Sequence, residues 1–155
     1  MSKQFLILFV CATITAGCEM RGDDMTEHEH ALDVSYAANV TEGLPFSDAV
    51  RVGNTLYLSG SIGVLPGTLE LVEGGITAET RQSMDNIRAT LEKYGSSMEE
   101  IVKCTIMMDD IGEWSTMNEV YVTYFPNHKP ARSAFGADGL ALDARVEIEC
   151  IATVK

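Results

Sequence analysis

Arg132 stands in a strand-like run, Ala131-Arg132-Ser133-Ala134-Phe135-Gly136, between residues too small to crowd it. A guanidinium with space beside it binds a carboxylate through two parallel N–H bonds, which fixes both the position and the tilt of the bound group. The final run, Arg145 to Thr153, alternates. Val146, Ile148, Cys150 and Ala152 point one way, suited to lie beneath helices, and Arg145, Glu147 and Glu149 point the other. The alternation places Arg132 with the carboxylates on the sheet face that the helices leave uncovered. The plainer reading of the same pattern is an exposed Arg–Glu pair across strands, which contributes little.

Other chemistry-bearing residues carry less. Ser83, Ser115 and Ser133 have no His and acid at useful spacing, and His128 lies in a loop, so a serine-hydrolase triad is rejected. His28 and His30 flank Glu29 near Asp23 and Asp24, but no second ligand cluster fixes a coordination geometry, and no metal is assigned. Four Cys with no C-x-x-C pair suit neither a zinc site nor a disulfide-stapled mini-domain. Cys104 and Cys150 both fall on inward stripes and read as buried thiols, with a bridge left open by an oxidising compartment. Met107, Met108 and Trp114 read as core filler.

The elements that must position these groups follow from periodicity. Asp48 to Val52 and Thr55 to Gly60 alternate around Gly53-Asn54, a hairpin signal. Thr77 is an N-cap candidate before a helix whose inward residues are Thr80, Met84, Ile87, Leu91 and Tyr94, with Gly95 closing it. Ile101 to Met108 reads as a strand. Trp114, Met117, Val120, Tyr121 and Tyr124 predict a second helix, ended before Pro126 and Pro130. Ala131–Phe135 and Arg145–Thr153 close the chain as strands. The order β-β-α-β-α-β-β is an α+β domain, a mixed sheet with two helices on one face.

The 155 residues suffice for one domain with a core, and 46% hydrophobic with 22% charged residues is ordinary globular composition. A net charge of −12 argues against binding a phosphate backbone. At the N-terminus, Lys3 precedes an apolar run, Phe5 to Ala12, too short to span a bilayer and proportioned like a signal peptide. Thr15-Ala16-Gly17-Cys18 resembles a lipoprotein cleavage box, with Thr15 where Leu is usual. Residues 1–17 are therefore read as a signal peptide, Cys18 as the lipidation site, 18–33 as an acidic tether and 34–155 as the folded domain. Such a chain would sit at the bacterial cell envelope. A start near Met25 would instead leave it cytoplasmic.

Several segments in order carry a resemblance to the RidA/YjgF family of enamine/imine deaminases. They are Pro45 to Val50, Leu58-Ser59-Gly60, Tyr121 to Pro126, Pro130 to Ser133 and Ala144 to Ala152. The resemblance implies a chorismate-mutase-like fold and a homotrimer with clefts between subunits. It implies that Arg132 binds the carboxylate of a 2-imino acid and that Glu147 manages water and protons. Ser59 and Gly60 would line the cleft, with Asn118 near it. Phe46 stands where some members have Tyr, and Ala134 where many have a reactive Cys. The implied reaction hydrolyses an imine such as 2-iminopropanoate to a 2-keto acid and ammonia, without metal or other cofactor. The alternative is a membrane-anchored, non-catalytic trimer that binds a small carboxylate in the same cleft. Cleavage of RNA, claimed for some relatives, fits poorly with so acidic a chain.

Overall fold

A computed structural model describes residues 33–37 and 43–155. The signal peptide, Cys18 and nearly all of the tether lie outside the described residues. Among the described residues seven strands form one sheet: β1 (Val34–Ala37), β2 (Ala49–Val52), β3 (Thr55–Leu58), β4 (Ser61–Ile62), β5 (Ile101–Met108), β6 (Ala131–Gly136) and β7 (Val146–Thr153). The strands run in the order β1-β2-β3-β7-β5-β6, with β4 also pairing β7. All pairs are antiparallel except β5 with β6. The crossover that makes this pair parallel contains α2 (Trp114–Tyr121), while α1 (Gly75–Lys93) links β4 to β5.

The period-3.6 stripe of α1 buries Ile76, Thr80, Met84, Ile87 and Leu91. These meet the inward residues of the central strands, Cys104, Ile106 and Met108 of β5 and Val146, Ile148, Cys150 and Ala152 of β7, all buried. Both helices therefore cover one face, as expected. The α1 start differs from the expectation at Thr77. Gly74 and Gly75 both have positive φ, 118° and 65°, and turn the chain into a helix whose N-cap is Gly74, three residues earlier, leaving Thr77 inside its first turn. The strands β1 and β4 were not legible as separate elements, being only four and two residues long.

One expectation about the core is overturned. Cys104 and Cys150 are not free thiols: they form a disulfide. They are direct cross-strand partners in the β5–β7 ladder, with Cα atoms 4.2 Å apart, and both side chains point into the core.

The uncovered face carries Val50, Tyr57, Met107, Phe135 and Ile151 beside Glu147 and Glu149. Tyr57 and Phe135 are each about half exposed. Among the described residues no helix is long and apolar enough to cross a membrane.

Candidate functional site

Arg132 does not share a face with Glu147. In the parallel ladder it is the partner of Cys104, and Ala134 is the partner of Ile106, so both point to the helix side of β6. Glu147 pairs with Met107 and Ile62 on the uncovered side of β7. The reading that grouped Arg132 with the carboxylates assumed that the helices fill their whole face. They do not, because β6 is an edge strand, and α2 leaves room at that edge for a half-buried guanidinium.

That room is furnished by one stripe of α2. Trp114, Asn118 and Tyr121 recur at i, i+4 and i+7 and therefore line one side of the helix. Arg132 Nη1 donates to Asn118 Oδ1. The guanidinium carbon lies 5.0 Å from the Tyr121 ring centroid and 5.5 Å from that of Trp114, within the range of cation–π attraction. Burial pushes the Tyr121 phenol up to about 12, against the opposing pull of Arg132, so the ring presents a neutral face at pH 7. Among the described residues no acid pairs with Arg132, whereas Arg145 is held by both oxygens of Glu113. A cavity of about 530 Å³ opens at the guanidinium, walled by Trp114, Asn118, Tyr121, Val122 and Phe125.

Trp114, expected as core filler, is instead 44% exposed and forms part of this wall. The sequence held a signal for this: Asn118 interrupts an otherwise apolar stripe, and a polar residue there needs a partner. The partner is Arg132.

The remaining predicted residues cluster elsewhere. Phe46, Ser59 and Gly60 line a second cavity of about 520 Å³. The Ser59 hydroxyl donates to the Ser47 carbonyl at 2.7 Å, and its N–H to the Asp48 carbonyl at 3.0 Å, so Ser59 ties down the loop that carries Phe46. Gly60 lies against Glu147: a Cβ at position 60 would stand 1.8 Å from Glu147 Oε1. Only a residue without a side chain lets the carboxylate occupy that place. Neither cavity is lined by both Arg132 and Glu147. Among the described residues no group of His, Cys, Asp and Glu is placed to hold a metal ion.

Burial raises the pKa of Glu147 above its ordinary value of 4.5, and the neighbouring charge of Glu149 raises it further. Ionisation of Glu147 therefore costs more in the folded chain, and its contribution to stability falls as pH rises from 4.5 through the raised value. If catalysis needs the carboxylate form, activity is lost as pH falls through that same raised value. Glu149→Gln removes the second cause but not the first. It should move the acidic limb of kcat/KM to lower pH without taking it down to 4.5. A pH profile of the two proteins checks this, and an unmoved limb would separate Glu147 from the titration.

The residue pattern has clear relatives. A family model described as "Endoribonuclease L-PSP" matches residues 38–154. The chain belongs to this family. Its members include the RidA/YjgF proteins of the resemblance drawn from sequence. A RutC family protein of Pyrococcus horikoshii is 43% identical over 108 residues, 70% of this chain and 86% of the relative. The 2-iminobutanoate/2-iminopropanoate deaminase of Mus musculus is 40% identical over 108 residues, 70% of this chain and 80% of that protein. Among solved structures, E. coli TdcF with bound serine superposes with a TM-score of 0.71 at 29% identity, covering 78% of this chain and 99% of that one. The L-PSP fold of these relatives agrees with the mixed sheet and two helices described above.

Proposed function

We propose that this L-PSP family protein is an enzyme that hydrolyses 2-imino acids to 2-keto acids and ammonia. The observation that carries the reading is Arg132, a half-buried guanidinium steadied by Asn118 and two rings, open to a cavity and unpaired with any described acid. A carboxylate is the ligand that such a fork takes bidentately. The named activity of the mouse relative and the serine held by TdcF support a substrate of amino-acid shape.

With the carboxylate on Arg132, the electrophilic C=N carbon lies a fixed distance from the guanidinium. Water adds to that carbon, its proton passing to Glu147, and the carbinolamine then collapses with the proton delivered to the departing nitrogen. The C–N bond breaks, C=O forms, and ammonia leaves; one water is consumed and no electrons change hands. Arg132 and Glu147 occupy opposite faces of one sheet, so a site using both is built between copies. The Arg132 cavity of one chain would face Gly60 and Glu147 of the next, in a homotrimer whose contacts cover Tyr57 and Phe135. To test the reading, 2-iminopropanoate is generated in situ by an amino-acid oxidase and its loss is followed. Loss well above the rate without protein is expected. A rate equal to the blank would overturn the deaminase reading and leave a carboxylate-binding module.

We also propose export and lipid anchoring at Cys18. The cleavage-box pattern supports this, and so does the buried disulfide, which belongs to oxidising compartments. Metabolic labelling with a radioactive fatty acid should mark the wild type and not Cys18→Ser; an unlabelled wild type refutes it.

A further inference from the structure

We propose that the Arg132 cavity selects 2-imino acids with large apolar side chains, above all aromatic ones. The inference rests on the deaminase reading and goes beyond it by naming the substrate class. A three-carbon imino acid has one methyl group as its side chain, and Arg132 with Glu147 would already account for its other atoms. In the single chain, before a neighbouring copy faces it, the cavity at the guanidinium measures about 530 Å³, more than such a molecule requires.

Ser115, Glu119 and Lys129 also line this cavity, but the wall beside the cation is apolar. Trp114 and Tyr121 turn ring faces to the guanidinium, and Val122 and Phe125 continue the surface. Trp114 and Val122 remain 44% and 45% exposed, so uncovered apolar surface lies beside a group that fixes a carboxylate. A bound 2-imino acid has its side chain two bonds from the carboxylate carbon, within reach of this wall. A flat ring there stacks on Trp114 in the offset or edge-to-face manner that aromatic pairs favour. A methyl group leaves the wall uncovered. One extra methylene in an apolar pocket discriminates by about 10-fold or more, and a ring adds several carbons.

The test compares kcat/KM for imines generated in situ from alanine, leucine and phenylalanine, with wild type, Trp114→Ala and Trp114→Phe. The phenylalanine imine is expected to exceed the alanine imine at least about 10-fold. Trp114→Ala should lower both rates, because the guanidinium loses a stacking partner, but should bring their ratio near one. Trp114→Phe should keep most of the ratio. Equal rates for the two imines, or a ratio that Trp114→Ala leaves unmoved, would overturn the inference while the deaminase reading stands. Such a result would mean that the wall is covered by a neighbouring copy instead of by substrate. If none of the imines is consumed faster than the blank, both fall together.

Discussion

Arg132→Ala is expected to lower kcat/KM for 2-iminopropanoate on the order of a thousand-fold, with little change in folding stability. A hydrogen bond to a charged group contributes about 1.5–3 kcal/mol, and the fork supplies two. Each 1.36 kcal/mol is tenfold in rate, so the pair accounts for about three orders of magnitude. The fold itself asks little of this side chain. Arg132 has no ion pair among the described residues, and its hydrogen bond to half-buried Asn118 and its contacts with the Trp114 and Tyr121 rings lie at the edge of the sheet. Circular dichroism and a urea titration should therefore find the variant folded, within about 1 kcal/mol of wild type. Arg132→Lys separates charge from geometry: it keeps the cation and loses the fork, so activity between the two extremes is expected. A variant as active as wild type would remove Arg132 from the reaction, and with it the observation on which the proposed function stands.

Much of the architecture was legible because its longer elements have strong periods. The α1 stripe of Thr80, Met84, Ile87 and Leu91 and the β7 alternation of Val146, Ile148, Cys150 and Ala152 are buried as their spacing requires. The site was legible in its residue types but not in its arrangement. Period alone tells which residues of one strand share a face; it does not tell which faces of two strands coincide. That depends on strand order, and β7 enters between β3 and β5, far from its neighbours in sequence. The same ignorance of order separated Arg132 from its true partners on α2 and hid the pairing of Cys104 with Cys150. Both facts required knowing that β5 has β6 on one side and β7 on the other. Glu147 was assigned its face correctly, yet nothing in its neighbours along the chain announced Gly60, eighty-seven positions earlier by number, as the residue whose missing side chain makes room for it.

The second large effect is on stability. Replacing Cys104 and Cys150 together by Ala should lower the unfolding free energy by about 4 kcal/mol, the loop-closure value for a bridge between residues 46 apart. For a chain of this size, that corresponds to a fall in Tm on the order of 10 °C. Two features direct the cost to this bond. It joins β5 to β7 at the centre of the sheet, and both residues are almost wholly buried, at 0% and 1% exposure. Alanine in their place removes two sulfur atoms from a close-packed layer, which adds to the loss instead of offsetting it. Burial also governs how the bond responds to reductant. A thiolate must reach one of the sulfurs in order to attack it, so brief dithiothreitol under native conditions should leave the bond intact, as a count of free thiols would show. The same reductant with urea near the midpoint should open the bond through the unfolded chain and shift the midpoint most of the way toward that of the double variant, whose lost sulfur atoms lower it further. Urea titrations of wild type, reduced wild type and the double variant decide the matter. Coincident midpoints for oxidised wild type and the variant would show that the bridge does not hold the sheet. A midpoint lost on brief exposure to reductant alone would show that the sulfurs open to solvent in the folded state.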